Sequence, residues 1–102
     1  MKIIFTNQEL AQLANSNELT GKQIFAQEVI KSFQQRVFQI KNAKDTQDLR
    51  MIKSLHFEKL KEKRYEDKYS IRLNKAYRVI FGIDKQGNFE VISIEEISNH
   101  YS

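Results

Sequence analysis

Two arginines sit in the most sheet-like part of the chain, YSIRLNKAYRVIF, Tyr69 to Phe81. Tyr69, Ile71 and Leu73 alternate with Ser70, Arg72 and Asn74; after a short break, Tyr77, Val79 and Phe81 alternate with Arg78, Ile80 and Gly82. A one-residue slip turns every side chain of a strand to the other face, so only an odd loop length puts both apolar sets on one side. With Asn74-Lys75-Ala76 as the loop, Leu73 faces Tyr77, Ile71 faces Val79, and Arg72 stands opposite Arg78 on the other face. Like charges opposed in this way cost a few tenths to about 1 kcal/mol. Folding alone gives no reason for the pair. A phosphate does, because one oxyanion can accept hydrogen bonds from both guanidinium forks and cancel the repulsion. The alternative is neutralisation within the chain, by Glu58, Glu90 or the terminal carboxylate.

The rest of the chain must position this hairpin. KIIF, Lys2 to Phe5, reads as a short buried strand with Ile3, Ile4 and Phe5 in the core. Thr6 with Glu9 has capping-box spacing and starts a short helix toward Ala14; Ala14 to Gly21 reads as a loop. Thr20 with Gln23 repeats the spacing and starts a longer helix, whose apolar stripe runs through Phe25, Val29, Phe33, Val37 and Ile40, widened by Ile24, Ile30 and Phe38. Phe25, Phe33 and Phe38 are read as core. Asp45 to Met51 reads as a helical turn. Alternation then predicts strands near Lys53–Leu60, Tyr69–Leu73, Tyr77–Ile83 and Phe89–Ile94, with a loop at KEKRYEDK and a turn at Asp84–Asn88. The order β-α-α-β-β-β-β gives one α+β domain over residues 1–102, with two helices packed on one face of a mainly antiparallel sheet of four to five strands. His56, inside the first of these later strands, is read as a structural histidine, and Tyr69 and Tyr77 as core residues with hydroxyls at the rim.

Composition narrows the chemistry. The 102 residues suffice for a single modest core, and 40% hydrophobic with 29% charged residues is an ordinary globular balance. No apolar run approaches a membrane span, and MKIIFTNQEL turns polar too early for a signal-peptide core. Without cysteine there is no disulfide or thiolate chemistry, which leaves the cytoplasm as the default location. With only His56 and His100, a His/Cys zinc site is not expected, nor is any cofactor. The net charge of +4 is unevenly spread: Lys53 to Arg78 holds nine Lys/Arg against four Asp/Glu, while one Lys faces four acids beyond Arg78. A basic block around the hairpin suits a polyanionic partner, although a solvated lysine-rich surface has the same composition.

SLHFEKLK, YSIRLNKAYRVIF and EVISIEEISNHY together resemble the RelE/ParE toxin superfamily, specifically its HigB-like proteic-killer branch. That branch typically shows an L-x-x-L-K segment, a Y/W-S-I-R-[IV]-N signature, a W/Y-R-[IV]-x-F return strand and a C-terminal His. This chain carries Lys61, Tyr69-Ser-Ile-Arg-Leu-Asn74, Tyr77-Arg-Val-Ile-Phe81 and His100-Tyr101, so the resemblance spans Ala43 to Tyr101. Where such toxins often have Gly after the L-K, this chain has Glu62, and its tail ends His-Tyr-Ser. The resemblance implies a RelE-like fold and a ribosome-dependent mRNA endoribonuclease that cuts the codon in the 30S A site. It also implies a cognate HigA-like helix-turn-helix antitoxin; no membrane is involved. A ParE-like DNA gyrase inhibitor, a binder and not a nuclease, is the alternative on the same fold.

Ribonuclease action of this type uses the substrate's own 2′-OH against the adjacent phosphate, and needs a base, an acid and donors for the developing charge. Arg72 and Arg78 suit the phosphate. His100, with an unperturbed imidazole pKa of about 6.5, is the candidate for proton transfer. Tyr101 could orient a base, and Lys61 could add positive potential or take a proton. Lys59, Lys63, Arg64 and Lys75 are read as RNA contacts that bring affinity and salt dependence without chemistry.

Overall fold

The computed structural model describes residues 1–15 and 25–99. In chain order these form β1 (Lys2–Phe5), α1 (Gln8–Asn15), α2 (Gln27–Asn42), α3 (Thr46–Arg50), a 3-10 turn (Lys53–Leu55), β2 (Glu58–Lys59), a second 3-10 turn (Lys63–Tyr65), β3 (Tyr69–Arg72), β4 (Tyr77–Gln86) and β5 (Phe89–Asn99). The five strands make one sheet in the order β1-β5-β4-β3-β2. Every pairing is antiparallel except β1 with β5, where Phe5 lies beside Ile94. The architecture is the α+β arrangement expected.

One sheet face carries Tyr69, Ile71, Leu73, Val79, Phe81, Ile92, Ile94 and Ile97, and the helices bury it with Leu10, Val29, Phe33, Val37, Ile40 and Leu49. Ile92 and Ile94 obey the two-residue period, but Ile97 does not. A β-bulge resolves this: Phe81 pairs with Ile94 and Ile80 with Glu96, leaving Glu95 as the extra residue. The bulge returns Ile97 to the core face opposite Val79. Glu95 takes Lys68 Nζ at 2.6 Å, and both lie over Gly82, where an added Cβ would stand 3.2 Å from the Glu95 carboxylate.

Several expectations need correction. Ile4 is exposed, because β1 is an edge strand with only one face against the helices. The α1 cap is Asn7, whose Oδ1 accepts from Leu10 N–H at 2.8 Å; Thr6 instead donates its hydroxyl to the Ile94 carbonyl. The Thr20/Gln23 cap lies outside the described residues, and α2 begins at Gln27, after Phe25. Phe38 points outward at 66% exposure, since it falls off the Phe33–Val37–Ile40 stripe. Lys53–Leu60 is not a strand: it opens as a 3-10 turn, bends at His56 in the left-handed region (φ 46°), and pairs only at Glu58 and Lys59. The Asp84–Asn88 turn shrinks to Gly87 and Asn88, with Gly87 supplying the positive φ, and β5 continues five residues beyond Ile94.

Candidate functional site

On the sheet face away from the helices, Arg72 pairs with Arg78 across β3 and β4, as expected with Asn74-Lys75-Ala76 as the loop. The three-residue loop is held by Asn74, whose Oδ1 accepts from both Ala76 and Tyr77 N–H groups at 2.8 Å. Leu73 N–H closes the loop onto the Tyr77 carbonyl at 2.9 Å. From behind, Arg36 of α2 donates Nε–H to the Arg72 carbonyl at 3.0 Å, fixing the end of β3; partial burial lowers the Arg36 pKa from its ordinary value. The backbone beneath the arginines is therefore tied on both sides.

The two guanidinium groups live in different surroundings. Arg72 is exposed, and among the described residues its side chain has no hydrogen-bond or ion-pair partner. Arg78 is only 7% exposed. One of its terminal nitrogens donates to both Glu62 oxygens at 3.1 and 3.2 Å, its Cζ lies 5.7 Å from the Tyr65 ring centroid, and its Nε is buried without a partner among the described residues. Of the carboxylates considered from the sequence, Glu90 instead accepts from Thr46 N–H and hydroxyl at the start of α3, and the terminal carboxylate lies outside the described residues; the carboxylate that takes Arg78 is Glu62. Tyr65 packs with Leu60 and Ile80 in a small second core on this face and donates its hydroxyl to Glu96 at 2.9 Å.

A surface groove runs over the pair. Its walls include Arg72, Arg78, Lys75 and Asn74 from the hairpin, Ser70 from β3, and His56 and Glu58 from the segment leading into β2. Glu58 belongs there because it pairs with Ser70 and so shares the arginine face. His56 is the residue that sequence reasoning placed wrongly. It is exposed, not structural, and its left-handed backbone turns it out of the strand pattern toward the groove. A non-glycine residue held at positive φ is a recognisable sign of a constrained site, but nothing in the local sequence announces it.

The other expected residues are distributed around this groove. Lys75 lines it. Lys59 pairs with Tyr69 and so belongs by register to the helix-covered side. Lys61, Lys63 and Arg64 are exposed on the stretch after β2 and do not line the groove; Arg64 lies over the Tyr65 ring at 4.7 Å and 3.9 Å from Glu62. His100 and Tyr101 lie outside the described residues. The last described residue, Asn99, pairs with Tyr77, one step from the Arg78–Ser98 pair. Among the described residues no group of acidic or histidine side chains could hold a metal, and no helix is long and apolar enough to cross a membrane.

An exposed arginine without a side-chain partner among the described residues and a buried one are thus opposed on a strand pair in a basic groove. The model of the HigB-like toxins, described as the RelE-like toxin of the type II toxin–antitoxin system HigB, matches residues 4–95. The chain belongs to this family. It is thus a toxin of type II toxin–antitoxin class, and its class partner is an antitoxin. A solved structure described as a YoeB/ParE toxin from Agrobacterium tumefaciens is similar over 99% of this chain and 100% of that one, with a TM-score of 0.60 and 12% identity. At that identity the likeness speaks to the fold. Among curated proteins no sequence match is found.

Proposed function

We propose that this toxin is a ribosome-dependent mRNA endoribonuclease that seats the scissile phosphate between Arg72 and Arg78. The observation that carries the reading is Arg72, whose side chain has no partner among the described residues, opposite a buried Arg78 whose Nε likewise has none. In the reaction, the 2′-oxygen bonds to phosphorus and the bond to the 5′-oxygen breaks, leaving a 2′,3′-cyclic phosphate and a 5′-hydroxyl. A base takes the 2′-proton and an acid returns one to the departing oxygen. The guanidinium groups hold the phosphoryl oxygens as charge builds on them, and Lys75 adds potential from the loop.

His56 is placed for proton transfer, since it lines the same groove, and Glu58 beside it offers a carboxylate as base. His100 and Tyr101, which continue the chain from Asn99, keep the roles that the family resemblance implies. Lys61 falls to a supporting role, together with Lys59, Lys63 and Arg64, as contacts to ribosomal RNA or mRNA in the 30S A site. The proposed partner is a HigA-like antitoxin that masks this basic face. The test is a translation reaction with purified toxin in which mRNA 5′ ends are mapped with and without ribosomes. The second reading is a ParE-like inhibitor of DNA gyrase, kept in view by the ParE in the name of the similar structure; a supercoiling assay without mRNA cleavage would select it.

A further inference from the structure

We infer that Glu62 is a built-in competitor for phosphate: its carboxylate occupies Arg78 and must leave before both arginines can hold one anion. The inference rests on reading the groove as a phosphate seat. Carboxylate and phosphate oxygens are equivalent ligands for a guanidinium group. Here a single Arg78 nitrogen reaches both Glu62 oxygens, at 3.1 and 3.2 Å, so the parallel two-nitrogen fork that makes such pairs strong is not formed. The buried Arg78 Nε is left over. Arg78 thus carries unused donor capacity that a phosphate, with more acceptor oxygens, can fill.

The two partners also differ in freedom. The Arg78 side chain is 8% exposed and fixed by packing, whereas that of Glu62 is 44% exposed. The backbone at Glu62 is anchored, because its carbonyl accepts from Tyr65 N–H at 2.9 Å and Tyr65 is itself held by Glu96 and the Leu60–Ile80 contact. Release therefore needs only a rotation of the Glu62 side chain. A receiving cation is at hand: Arg64, two residues on, already lies 3.9 Å from the same carboxylate, with a side chain 66% exposed. Glu62 can pass from Arg78 to Arg64 as an anion enters, which sets a threshold against weak or stray phosphate ligands.

The test measures binding of a 2′-O-methyl RNA hexamer, which cannot be cleaved, by fluorescence anisotropy across a salt series. Glu62→Gln is expected to bind about two- to fivefold tighter than the parent, the range that a half-exposed ion pair allows. The salt slope should steepen by up to about 0.7, as one more cation becomes available to the strand. Glu66→Gln, on the same exposed stretch, controls for loss of any negative charge and should change binding less. In an Arg78→Met background the gain from Glu62→Gln should vanish. Glu62→Asp, which keeps the charge but shortens the reach, should also tighten binding and serves if the Gln variant folds poorly. The inference is overturned if Glu62→Gln and Glu62→Asp bind no tighter than the parent, if Glu66→Gln does as much, or if the gain survives without Arg78. If Arg72→Ala and Arg78→Met leave binding unchanged, the phosphate seat itself fails, a separate result from failure of the Glu62 competitor alone.

Discussion

Arg78→Met keeps the length of the side-chain stem beneath Tyr65 and removes only the guanidinium group. The loss is the pair with Glu62, worth about 0.2–1 kcal/mol because that carboxylate is half exposed and rehydrates, plus a weak contact with the Tyr65 ring. On the other side, the buried Nε–H, without a partner among the described residues, costs about 1–3 kcal/mol, and the opposition to Arg72 a few tenths to about 1 kcal/mol. The relief exceeds the loss, so the variant should be more stable by about 0.5–2 kcal/mol, the usual outcome when a functional charge is removed from a packed site. For a domain of this size that is a rise in Tm of about 3–10 °C, read by thermal unfolding under circular dichroism. Growth inhibition on induction should disappear in the same variant. A fall in Tm would refute the reasoning: Arg78 would then be a structural ion-pair partner of Glu62, with no stored cost for phosphate to relieve.

Arg72→Ala should shift Tm by no more than about 3 °C, since the side chain is exposed and has no partner among the described residues, yet abolish growth inhibition. His56→Gly should raise stability by about 0.5–1 kcal/mol by relaxing the left-handed backbone, while mRNA cleavage falls by about 10²–10⁴-fold; a stable variant with full cleavage would return proton transfer to His100. Phe33→Ala should cost about 3–5 kcal/mol in urea denaturation, whereas Phe38→Ala, on the same helix but 66% exposed, should cost under about 1 kcal/mol.

The hairpin was legible because parity is a hard constraint: apolar residues on both strands restrict the loop to odd lengths, and with Asn74-Lys75-Ala76 as the loop the Arg72–Arg78 pairing follows. The same rule failed on β5, where Glu95 and Glu96 interrupt the alternation and a bulge carries the strand on to Asn99. It also misled at Lys53–Leu60, since Ile52, Leu55, Phe57 and Leu60 reach the interior through a 3-10 turn and a left-handed residue, a path that hydropathy spacing does not distinguish from a strand. That error hid His56 inside a supposed strand and so kept it out of the site. The parallel pairing of β1 with β5 joins segments some 90 residues apart and depends on how the helices cross the sheet. The Glu62–Arg78 contact spans sixteen residues and required the fold of the intervening 3-10 turn around Tyr65, so composition offered only a choice among nearby carboxylates.

The most direct test of the central claim is mapping of mRNA 5′ ends in a purified translation system, comparing the parent toxin with Arg72→Ala, with and without ribosomes. The account predicts new 5′-hydroxyl ends at codon positions only when the parent toxin and ribosomes are both present, and none with Arg72→Ala. Cleavage that persists in Arg72→Ala, or no cleavage by the parent toxin on translating ribosomes, would contradict it.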